Sequence, residues 1–152
     1  PSFDDGAGLD RPLAREEKVL AATRKAALFA AGVASQRYMT ALENEQEIMA
    51  DLADMISQVF ALESALLRAQ KLAQSGAETA KAAAVMTALL AEESLTLAEQ
   101  AARHVLAACA EGDMLHTQLA ILRRLARHDP ADTIGLSRIV AKRCVELERY
   151  PL

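Results

Sequence analysis

No proline interrupts the chain between Pro12 and Pro130, and only Gly32, Gly76 and Gly112 fall inside that span. Proline and glycine are the residues that break helices, so a stretch this long with almost none of either favours long helices. Its contents agree. Alanine is the commonest residue, and Ala, Leu, Glu, Arg, Lys, Gln and Met are the strongest helix formers. No segment alternates apolar and polar residues for long enough to suggest a strand. The chain is therefore predicted to be all-α. The expected form is an up-and-down bundle of four to five helices over 12-152, preceded by a flexible segment at 1-11.

Five helices can be placed. The first is predicted from Pro12 to Tyr38, with Val19, Ala22, Ala26, Phe29 and Val33 on one face. Gly32 lies inside it, and a closely approaching partner helix would explain it. A pause follows near Met39, and Thr40 to Glu43 fits a capping box for the next helix, with a start a few residues later as the alternative. That second helix carries the clearest pattern. Ile48, Leu52, Met55, Val59, Leu62 and Leu66 are spaced 4, 3, 4, 3 and 4, a heptad seam of the kind that packs helices lengthwise. Gly76 ends it as a left-handed cap.

The third helix is predicted from Ala77 to Ala110. Met86, Leu89, Leu90, Leu97, Ala101 and Val105 mark its buried side, and Glu92, Glu93 and Ser94 interrupt it. Asp113 caps a short fourth helix from Met114 to Arg127. Asp129 as N-cap and Pro130 in the first turn open a fifth, which runs to Arg149 and buries Ile134, Ile139 or Val140, Cys144 and Leu147. The ends, Pro1 to Asp10 and Tyr150 to Leu152, are expected to fray.

Hydrophobic residues are 52% of the sequence and charged residues 25%, the balance of a globular chain. The net charge of −4 argues against nucleic acid as a partner. No apolar run approaches the roughly 20 residues of a membrane span, and the first dozen residues do not form a signal peptide. Cys109 and Cys144 form no close pair, and they read as buried free thiols in a reducing cytosol.

Candidate chemistry is sparse. A di-iron bundle needs Glu-x-x-His pairs, and none of His104, His116 and His128 follows a glutamate by three. Asp113-x-x-His116 is the nearest approach, and its aspartate is better explained as a cap. No G-x-S-x-G elbow and no phosphate-cradling glycine loop occurs. Glu43, Glu45 and Glu47 cluster in the first turns of a helix, where acids suit the dipole. In Leu115 to His128, leucines line one side and Arg123, Arg124, Arg127 and His128 gather at the end. Such a helix could lie on an anionic membrane. A bundle helix with cations at its C-terminus is the better explained reading. No residue is assigned a catalytic, cofactor-binding or metal-binding role.

The run from Ala41 to Leu72 resembles the extra C-terminal helical domain of the long-form acyl-CoA dehydrogenases, the very-long-chain enzymes and their bacterial relatives. Asn44-Glu45-Gln46, Leu52-Ala53-Asp54 and the residues from Phe60 to Ser64 carry the likeness. Ala14 to Lys18, Ala27 to Tyr38 and Gly112 to Arg127 are also similar, so it extends over about 12–149. The resemblance implies enzymes that use FAD to remove two hydrogens from the α and β carbons of a fatty acyl-CoA in β-oxidation. Their catalytic core has helical and β domains, and the added domain packs across it where tetrameric relatives place a second dimer. This chain would then be a non-catalytic accessory and oligomerisation part of a cytoplasmic oxidoreductase. Its partners would be the catalytic core of the same polypeptide and a second copy in a homodimer. No FAD-contacting residue is carried over, because the regions that bear them have no counterpart here. A start at Pro1 without methionine fits a fragment. The alternative is an independent helical interaction or regulatory module.

Overall fold

The structure, a computed structural model, describes residues 13–152. The expected flexible segment at 1-11 and the predicted role of Pro12 therefore lie outside the described residues. Among those described there are five α-helices and no strand. They are α1 (Ala14–Tyr38), α2 (Gln46–Gln74), α3 (Ala80–Cys109), α4 (Gly112–Leu125) and α5 (Thr133–Leu147), with a 3₁₀ turn at Met39–Asn44 between the first two.

The helices run up and down. Arg24 pairs with Glu63, and Gln70 Nε2 donates to Glu17 Oε1 at 2.6 Å, which sets α1 and α2 antiparallel. Ser94 Oγ donates to Gln58 Oε1 at 3.0 Å and His104 lies 3.6 Å from Asp51, which sets α2 and α3 antiparallel. α3 is the central helix and packs against every other one. The interior between α1 and α3 is built largely from alanine. Ala26, Ala30 and Ala34 of α1 face Ala98, Ala101 and Ala102 of α3, and side chains this small let the two backbones come close. The α2 seam is as predicted: Ile48, Leu52, Met55, Leu62 and Leu66 are buried, and Val59 packs against them half-buried. A second cluster, around Val19, Leu20, Leu62, Leu66 and Leu95, fills the other end.

The buried hydroxyls are satisfied locally. Thr23 donates to Val19 O at 2.8 Å and Thr87 to Ala83 O at 2.7 Å, one turn back along their own helices. The turn after α2 is a Schellman motif. Gly76 stands at φ +67°, its N–H reaches Ala73 O at 3.2 Å, and the Ala77 N–H reaches Leu72 O at 3.1 Å.

Several predicted details differ. Thr40 and Glu43 do not form a capping box: both sit in the 3₁₀ turn, and α2 begins at Gln46 behind Glu45, which makes no side-chain cap bond. Only Glu47 of the three acids is in the first turn of α2. Asp113 is not the cap of α4 but lies inside its first turn, behind Glu111 and a Gly112 at φ +55°. Gly32 is exposed, and a Cβ there would meet nothing within 4 Å, so no neighbour explains it. On α3 the predicted Leu97 is 42% exposed, while Ala91, Leu95, Ala98, Ala102 and Leu106 face inward. Ala101 and Val105 are buried as expected, but most of the inward face is alanine, selected by the close packing of the helices, and the predicted row of larger residues passes over it. Ser94, read as an interruption, is fully buried.

α5 differs most. Its cap is Asp132, whose carboxylate accepts from Gly135 N at 2.9 Å, instead of Asp129. The reason lies one residue earlier, where Ala131 N donates to Glu92 Oε1 at 3.1 Å and the helix can begin only past that anchor. The predicted buried face is absent. Ile134 and Ile139 are exposed, Leu147 is 36% exposed, and Val140 and Cys144 are half-buried, because α5 has a single helix neighbour, α3. The C-terminal residues are not loose ends: Pro151 is buried and its carbonyl accepts from Arg143 Nε at 2.9 Å.

Candidate interaction surfaces

Several of the titratable side chains are engaged in structural pairs. The densest cluster surrounds Glu92, half-buried in the middle of α3. Its carboxylate accepts from Arg15 of α1 and from the Ala131 N–H, and His128 Nε2 lies 3.2 Å from its other oxygen. Arg15 also donates through Nε to Asp129 O at 3.1 Å and pairs with the buried Glu16 at 3.1 Å. His128 Nδ1 lies 3.0 Å from Ala126 O. One carboxylate thus clasps the start of α1, the middle of α3 and the link from α4 to α5. The sequence marked Glu92 only as a break in an apolar face. Its partners lie 77 and 36 residues away, and nothing local to Glu92 announces them.

The other singled-out residues do not converge. His104 and Asp51 meet at the rim of a polar groove between α2 and α3, which Asp54, Gln58 and Gln100 also line. His116 is exposed on α4. No group of three or more His, Cys, Asp or Glu among the described residues could hold a metal. Cys109 and Cys144 are free and half-buried. Burial pushes the Cys109 thiol up from its ordinary value, Arg37 pulls it down, and Glu45 pushes it up again.

The leucine side of α4 turns inward. Leu122 is fully buried, and Leu115 and Leu119 pack against the first core cluster, which accounts for that face without a membrane. Arg123, Arg124 and Arg127 stay exposed near its C-terminus. None of the described helices is long and apolar enough to cross a membrane.

One feature escaped the sequence reading. Beside its buried seam, α2 carries a second apolar row, Met49, Ile56, Phe60 and Leu67, all exposed, with Phe60 at 72%. Its sequence signal is the spacing 7, 4 and 7, which lies beside the more regular heptad of the buried seam.

Comparison with known proteins agrees with this architecture. Residues 22–124 match the family described as acyl-CoA dehydrogenase, C-terminal domain. A protein of Bacillus subtilis (strain 168), described as a probable acyl-CoA dehydrogenase, is 40% identical over 139 residues, 91% of this chain and 23% of its own length. The crystal structure of an acyl-CoA dehydrogenase complexed with FAD from Bacillus anthracis superposes with a TM-score of 0.89 at 37% identity. That match covers 94% of this chain and 25% of the other. The chain spans about a quarter of the length of these relatives.

Proposed function

The chain belongs to the acyl-CoA dehydrogenase C-terminal domain family, and on that premise we propose that it is the non-catalytic accessory domain of a longer FAD-dependent acyl-CoA dehydrogenase. The observation that carries this reading is the asymmetry of coverage: nine tenths of the chain matches one quarter of each relative. The remaining three quarters would hold the flavin and the acyl-CoA. The three-way engagement of Glu92 supports a structural role for the domain's own polar residues, since the most crowded carboxylate is spent on holding helices together.

In this reading the domain covers a surface of the catalytic core and limits the enzyme to a homodimer. The whole would act in fatty-acid β-oxidation in the cytoplasm. The test is the complete gene product. A reading frame that extends upstream by about three times this chain's length, encoding a yellow protein that passes electrons from an acyl-CoA to an acceptor, is the expected result. A frame that opens near Pro1, or a colourless full-length product inert toward acyl-CoAs, would overturn it in favour of an independent interaction module.

A further inference from the structure

A domain joined to a partner three times its own length gives up one face to it, and the faces here are chemically unlike. The outer side of α5 exposes Ile134 and Val145 but sets Arg138, Lys142 and Glu146 among them, with Lys142 and Glu146 paired at 3.8 Å. That surface suits water. The groove between α2 and α3 is lined by Asp51, Asp54, Gln58, Gln100 and His104, and it is polar as well.

The outer side of α2 is different. Positions 49, 53, 56, 57, 60, 61, 64 and 67 read Met, Ala, Ile, Ser, Phe, Ala, Ser and Leu, without one charge. Ile56 is 66% exposed and Leu67 59%. α1 extends the same face. The pairs Arg24–Glu63 and Glu17–Gln70 fix its register, and they put Leu28, 73% exposed, level with Val59 and Phe60. Gly32 and Ser35 continue the row, exposed and uncharged. The Arg24–Glu63 pair borders it on one side, and the exposed Lys25 and Lys71 stand one turn beyond Leu28 and Leu67.

We propose that this α1–α2 face, centred on Leu28, Ile56 and Phe60, seats the domain against the remaining three quarters of its own polypeptide. The proposal rests on the accessory-domain reading above. Interface centres are enriched in aromatic residues and methionine and depleted of Lys and Glu, and the α2 row from Met49 to Leu67 has that composition. Soluble chains seldom leave such a row uncovered. The relatives are four times longer than this chain, so in them a large surface is held beside it covalently, at an effective concentration that a free partner cannot match. That favours the joined portion over a second copy as the occupant.

The test is made on the complete polypeptide with Cys109 and Cys144 replaced by alanine. Ser57→Cys places a thiol within the face and leaves its apolar anchors intact, and Ser137→Cys places one on α5; both serines are exposed here. With a maleimide probe, Ser57→Cys is expected to react at least about tenfold more slowly than Ser137→Cys, because labelling must wait for local undocking. Adding Phe60→Glu should restore fast labelling. Equal rates at the two positions would overturn the proposal. Protection that vanishes on dilution, in step with a fall in mass, would overturn it in favour of a second copy. Flavin content and turnover are read on the same samples. Their absence counts against the functional reading alone, while the labelling contrast decides the face.

Discussion

Gly32 sits in the second-last turn of α1, facing open space, and nothing in the chain requires it. Glycine in a helix interior costs about 0.5–1 kcal/mol relative to alanine, so Gly32→Ala should stabilise this 152-residue chain by that amount. Denaturant midpoints of the two forms measure it. The expectation of a close partner helix failed because a glycine's own sequence context does not say what lies across from it. Cys109 offers a second check. Its raised pKa means a smaller thiolate fraction at any given pH, and the thiolate is the reactive form. Alkylation of the folded chain should therefore reach half its limiting rate at a higher pH than alkylation of the urea-unfolded chain. A lower midpoint in the folded chain would contradict the burial. Neither effect was legible in the sequence beyond the statement that both thiols look buried, and both proved half-buried.

The helices themselves were largely legible, for different physical reasons. The α2 seam announces itself because its buried residues are large and its period is regular. Leu62 is fully buried, and Leu62→Ala should cost about 2–5 kcal/mol through lost transfer energy and the cavity left behind. Leu97→Ala, on the exposed side of α3, should change stability by no more than about 0.5 kcal/mol. Thermal melts that ranked the two substitutions the other way would refute the assignment of faces. α3 was harder to read because alanine fits an interior and a surface equally well, so its buried face has no signature in residue type. α5 was hardest. Its apolar residues are spaced for a buried face, but only one helix is there to receive them. Periodicity reports that a face could be buried and says nothing about whether a neighbour exists.

Over the whole molecule, stability should be uneven. α1, α2 and α3 share the two core clusters, whereas α5 has no fully buried side chain and holds to α3 and the Glu92 clasp. Hydrogen exchange should find the amides of Thr133–Leu147 the least protected among the helices. Glu92→Ala should accelerate them further while leaving α2 unchanged; uniform exchange across all five helices would show a single cooperative unit instead. The bundle class could be foreseen from helix lengths and short links, but the clasp could not, since it joins residues brought together only by the finished fold. The Schellman turn after α2 has a kinetic consequence as well. Only a few residues separate Gln74 from Ala80, so α2 and α3 can meet at almost no cost in loop-closure entropy. That hairpin is the natural place for folding to begin, with α1 closing onto it afterwards and α5 arriving last.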